Sequence, residues 1–233
     1  MRVVSPLSLL ALCGSMVATS VSAGEIIITN WQDTSAPTAG YTYSINDNTA
    51  GRFTFNISVP QTDADILAVA FNTDGATEYT SANLDVMNFS AIARSGGPAV
   101  APTNTFFNTS NCGAGCNFNG SVDPAPFDVI LRVGNQGSPL TDWYYDVSFD
   151  IADLGLSLND FIAVGIRGQS VLGSGSDKAF QEIPECPNTR AGVTRDCPPS
   201  GPPQVPEPAS FGLFLMGMAG VGWGIRRQRK QSV

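Results

Sequence analysis

Histidine is absent from this 233-residue sequence. Its absence excludes a Ser-His-Asp or Cys-His arrangement and every zinc site that uses imidazole. Cations are scarce too: 12 Lys and Arg stand against 20 Asp and Glu. The shortage is uneven along the chain. Gly24 to Val205 holds seven Lys/Arg and nineteen Asp/Glu, a formal charge of −12, while the remaining cations sit near the two ends. An acidic body is a poor partner for nucleic acid, whose affinity comes mainly from neutralised phosphates. Self-repulsion of that charge favours solubility, although it would also suit bound cations. The body has no long apolar stripe of helical period and no internal repeat, which argues against a propeller or a β-helix.

The N-terminus reads as a leader. Arg2 precedes the apolar run Leu7 to Val17, and Val21-Ser22-Ala23 places small residues at the −3 and −1 positions. That order predicts a secretory signal peptide over 1–23, cleaved before Gly24 and passed through the Sec translocon. From Gly24 the text is a series of short alternating segments separated by turn residues. Phe53, Phe55, Ile57 and Val59 fall on one face of 52–59, and Tyr145, Val147, Phe149 and Ile151 on one face of 143–151. Period two of this kind predicts strands with one buried face. Strands are also expected at 25–31, 41–45, 66–71, 84–92, 127–133 and 161–167, the last of the series. The unbroken run 66–71 reads as a strand covered on both sides, and 95–121, rich in Gly, Pro, Asn, Thr and Ser, as a long loop or extended edge. Seven or eight short strands predict an all-β body over 24–180, an antiparallel β-sandwich of jelly-roll or immunoglobulin-like type. A Cys/Pro-rich spacer is expected at 181–204.

Cys13 leaves with the leader, and Cys112, Cys116, Cys186 and Cys197 remain. An even number in an exported chain points to disulfides, with three pairings open. A zinc site of four thiolates is the rival, but the spacings lack two-residue knuckle pairs. Asp63, Asp65 and Asp74 are the candidate calcium ligands, since hard cations collect oxygens from several loops. Asx-rich turns are also the ordinary way to reverse strands. Paired carboxylates would serve a glycosidase, yet no spacing marks one pair above another. Trp31, Tyr41, Tyr43, Trp143 and Tyr144 are candidates for an aromatic platform that stacks on sugar rings. Strand alternation must, however, bury about half of them. The acceptor pattern for N-glycans occurs at Asn56, Asn88, Asn108 and Asn119, as expected by chance in so Asn/Ser/Thr-rich a chain.

The C-terminus carries the sharpest signal. Val205-Pro206-Glu207-Pro208-Ala209-Ser210 is followed by an uncharged, Gly-rich segment over 209–225 and then by Arg226, Arg227, Arg229 and Lys230. Seventeen residues lie near the lower limit of a spanning helix, and the cations keep its C-terminal end in the cytoplasm. These three elements, over 205–233, resemble the PEP-CTERM sorting signal of Gram-negative bacteria. The resemblance implies recognition by an exosortase at or near Pro206-Glu207-Pro208, a transient inner-membrane anchor, and release to the cell surface or matrix. It also implies association with exopolysaccharide and biofilm. The expected protein is therefore an exported, non-enzymatic surface or matrix protein without a resident cofactor. A secreted carbohydrate-binding module using calcium is the alternative, and a secreted carboxylate hydrolase a third.

Overall fold

The strongest alternation in the sequence builds the centre of the molecule. The computed structural model describes residues 24–32, 39–74, 78–119, 126–137, 140–173, 175–185 and 191–195. The expected signal peptide, Cys186, Cys197, most of the spacer and the whole sorting tail lie outside these residues. Among the described residues are eleven strands: β1 (Glu25–Ile28), β2 (Thr42–Asn46), β3 (Arg52–Ser58), β4 (Asp65–Thr73), β5 (Met87–Ala93), β6 (Asn104–Thr109), β7 (Phe127–Arg132), β8 (Tyr144–Ala152), β9 (Phe161–Gln169), β10 (Ser176–Glu182) and β11 (Val193–Arg195). Among the described residues, regular helix is limited to three single 3-10 turns. The strands form two antiparallel sheets, ordered β11-β1-β2-β3-β8-β5 and β10-β9-β4-β7-β6.

β3 and β8 pair with Phe55 opposite Phe149 and Ile57 opposite Val147, so their apolar faces coincide. Phe55 stacks on Phe149 with ring centroids 4.8 Å apart. It also meets Tyr43 of β2 edge-on at 6.1 Å, and across to the second sheet it reaches Phe71 of β4 at 5.1 Å and Phe161 of β9 at 5.7 Å. Edge-to-face and offset pairs of this kind add to simple area burial. The inward residues of both sheets thus share one core.

A second, smaller core lies on the other side of β4. Ile66, Val69 and Phe71 belong to the shared core, whereas Leu67, Ala68 and Ala70 join Cys112, Cys116, Phe118, Phe127 and Phe180 in a separate cluster. This accounts for the unbroken apolar run, expected to be covered on both sides. It also explains a glycine within β9. A Cβ on Gly165 would stand 2.6 Å from the Phe127 ring and 3.1 Å from that of Phe118.

Of two expectations about extent, the extended edge within 95–121 is found and the end of the strand series is corrected. The segment 95–121 supplies β6, an edge strand paired with β7, and then the loop that covers the second core. The series does not end at Arg167. β10 pairs with β9 along its whole length, and β11 pairs with β1, so the sheets extend to Arg195, past residue 180.

Candidate functional site

Three groups of polar residues in the body are organised by strands far apart in sequence. The first centres on Asp65, the opening residue of β4, which is fully buried. Its Oδ1 accepts the backbone N–H of Tyr144 at 2.6 Å, and its Oδ2 accepts Gln169 Nε2 at 2.5 Å. Gln169 also donates to the Asn135 carbonyl at 3.2 Å. The start of β4, the start of β8 and the end of β9 therefore meet at one carboxyl. Burial pushes Asp65 up from 3.8 to about 7, against the lowering effect of the Gln169 and Tyr144 hydrogen bonds. Asp142 raises it further, and Arg94 lowers it. Arg94 itself donates to the Ala64 carbonyl at 2.9 Å and lies 5.1 Å over the Trp143 ring.

The second group holds the loop over the smaller core. Cys112 and Cys116 form a disulfide, both cysteines fully buried. The buried Arg132, last residue of β7, donates to the carbonyls of Gly134 (2.9 Å), Cys112 (3.0 Å) and Ala114 (3.1 Å). A guanidinium forks naturally over several oxygens, and here it ties the disulfide loop to β7. Arg132 interrupts the apolar run Val129–Val133, and that interruption is the sequence signal by which it could have been singled out.

The third is a cleft of about 430 Å³ between the β2–β3 turn and the segment after β8, lined by Asp47, Asn48, Arg52, Asp153 and Ser157 among others. Pairing of β3 with β8 puts this cleft at the opposite end of the sheets from Asp65. Arg52 is engaged by Asp85. The Ser157 hydroxyl donates to Asp160 at 3.0 Å and accepts from Asn159 N at 3.2 Å, bonds that cap a 3-10 turn.

The residues nominated from sequence are dispersed differently. Among the described residues no three Asp, Glu or Cys form a group able to hold a metal ion, and Asp63, Asp65 and Asp74 are not gathered into one. Asp63 lies in the turn before β4 and Asp74 is exposed beyond its end. The aromatic platform is corrected in part. Tyr41, Tyr43 and Tyr144 are only 1%, 0% and 7% exposed: alternation turns Tyr41 and Tyr43 inward, and Tyr144 is buried at the start of β8 beside a register shift in its pairing with β5. The Tyr41 hydroxyl donates to Asp177 at 3.1 Å, the Tyr43 hydroxyl to the Ala70 carbonyl at 3.3 Å. Trp31 and Trp143 are half-buried, and Trp31 packs edge-on against Tyr41 with centroids 6.2 Å apart.

The signal that identifies the chain is in its tail. Residues 204–230 match the family model of the PEP-CTERM protein-sorting motif. The chain carries a PEP-CTERM sorting tail. The match takes in Val205 to Ser210 and the cations Arg226, Arg227, Arg229 and Lys230. A PEP-CTERM tail implies export, a membrane-anchoring C-terminal segment and processing by an exosortase. No curated protein and no solved structure matches the chain.

Proposed function

We propose that this is a non-enzymatic cell-surface or extracellular-matrix protein of a Gram-negative bacterium, exported through the Sec translocon and cleaved at its PEP-CTERM tail. Its body then associates with exopolysaccharide. The observation that carries this reading is the sorting motif, which joins a Pro-Glu-Pro breaker, a thin apolar segment and a basic end in order. In such a tail the cations hold the C-terminus in the cytoplasm while the body lies outside. The acidic body supports the reading, since self-repulsion keeps an exported domain dispersed.

The finer fold proposed is a β-sandwich of jelly-roll type. Successive strands β3, β4, β5 and β6 alternate between the sheets, and β3-β8-β5 faces β4-β7-β6, which supports a rolled hairpin path over an immunoglobulin-like one. Mass spectrometry of the mature protein from its native host tests the function. Loss of everything beyond Pro206–Pro208 is the expected result. An intact Arg226–Val233 end would reduce the tail to an ordinary membrane anchor.

A further inference from the structure

β1 is bonded from the residue before it. The Gly24 backbone nitrogen donates to Asp47 Oδ1 at 2.6 Å, and Asp47 N donates back to the Gly24 carbonyl at 3.4 Å. Asp47 follows the last residue of β2, so these two bonds close the end of the β1–β2 ladder, in which Glu25 faces Asn46. In the full-length chain the Gly24 nitrogen belongs to the Ala23–Gly24 peptide, a neutral amide with one hydrogen to give. That same peptide is the one at which the leader is expected to be cut.

We propose that leader removal converts this contact into an ion pair, the Gly24 α-ammonium on the Asp47 carboxylate, and that the mature N-terminus thereby clasps the sheet edge from which the chain leaves for its sorting tail. Hydrolysis adds water across the Ala23–Gly24 bond. The Ala23 carbonyl carbon takes the hydroxyl and departs with the leader as a carboxylate, and the acid proton goes to the Gly24 nitrogen, giving –NH3+. The nitrogen already lies within hydrogen-bond distance of the carboxylate, so the new charge arrives where its partner stands. A charge-assisted bond is about twice as strong as a neutral one, and the partly buried setting weakens screening by salt.

The location gives the pair its consequence. Among the described residues β1 is the only strand paired with β11, with Ile26 opposite Arg195 and Ile28 opposite Val193. β11 is the last strand among the described residues and lies within the segment expected from sequence to be spacer. Fastening β1 to β2 therefore fastens the strand that carries the tail. The other charges near the pair are Glu25, adjacent in the chain, Arg195 on β11, and Arg52 and Asp153, which share the cleft with Asp47. Arg52 is held by Asp85, and the Arg195 guanidinium donates to the Pro184 and Leu158 carbonyls, so neither cation is committed to Asp47. The surplus of carboxylates favours the protonated amine.

The inference rests on the leader reading and is independent of exosortase cleavage. Full exported protein from its native host is pulsed with acetic anhydride at a series of pH values. The N-terminal peptide is then read by mass spectrometry, with a urea-denatured sample as reference. A peptide starting at Gly24 is expected, with an amine titrating at least one unit higher in the folded protein than in urea, hence about tenfold slower labelling at neutral pH. In Asp47→Asn, which keeps the accepting oxygen and so the neutral bond, the folded amine should label at the denatured rate. A different mature start, equal folded and denatured titration in the wild type, or a high titration retained in Asp47→Asn would each overturn the ion pair. The C-terminal mass read from the same sample reports on exosortase cleavage separately.

Discussion

A fully buried carboxyl makes the stability of this body depend on pH. Asp65 is held at about 7 when folded and titrates near 3.8 otherwise, so the native state binds its proton more tightly. The contribution of a raised carboxyl is complete below about pH 4 and is lost as pH rises through about 7. Thermal unfolding between about pH 5 and pH 8 should therefore show a midpoint that falls with rising pH, with a slope from this group of at most about 1.4 kcal/mol per unit. Asp65→Asn cannot ionise and keeps an acceptor for the Tyr144 N–H. It is expected to remove most of that slope, and an unchanged slope would place the sensitive group elsewhere. In the sequence Asp63 and Asp65 stand two residues apart and group with Asp74 as candidate calcium ligands. What separates them is tertiary: the donors that hold Asp65 inside come from residues 79 and 104 positions away. No local pattern announces such partners, and the same is true of Tyr41, whose hydroxyl is satisfied by Asp177 across 136 residues.

Elements were legible in proportion to how strictly they alternate. β3 and β8 show period two because one face of each meets the shared core, and β4 shows none because both of its faces are covered. β10, with the sequence Ser-Asp-Lys-Ala-Phe-Gln-Glu, carries little apolar signal and is a strand through its pairing with β9. The loop over the second core was legible as a loop with two cysteines, and the core beneath it was not. Its stability should come from two devices of different size. Closing the five-residue Cys112–Cys116 loop is worth about 2 kcal/mol in chain entropy. Replacing both cysteines by serine should lower the unfolding free energy by about that amount, as read from denaturant midpoints at constant m. Arg132→Met keeps most of the apolar stem but removes the charged donors to three carbonyls. Hydrogen bonds to a charged group contribute about 1.5–3 kcal/mol each, partly regained from water once the loop loosens. The expected loss is about 3 kcal/mol, larger than for the disulfide, with amide exchange at residues 110–119 accelerating first. If the cysteine pair proved the costlier loss, the guanidinium would be a passenger in a loop held by sulfur.

At the scale of the molecule, the body and its tail divide the charge between them. The seven cations of the body are outnumbered by its acids, whereas the tail gathers Arg226, Arg227, Arg229 and Lys230 within five residues. The tail was legible because a sorting signal is linear: breaker, apolar run and basic end are read in the order in which they are written. A ligand of the body would be recognised by side chains gathered from several strands. The outward row Ser44, Asn56, Ser148 and Ser90, assembled only by cross-strand register, has no sequence signature at all. The cations can be tested without knowledge of that ligand. The apolar segment is thinned by glycines, so its retention in the membrane depends on the charges that follow more than on its own hydropathy. Changing all four cations to glutamine should leave the fold intact, because none of them belongs to the described sheets. With the stop removed, the tail is expected to cross with the body, and full-length protein ending in Ser232-Val233 should appear outside the cell. Fractionation with C-terminal mass spectrometry reads the result. Membrane retention and normal cleavage in this variant would show that the Pro-Glu-Pro segment is sufficient for sorting and that the basic end does not set the orientation.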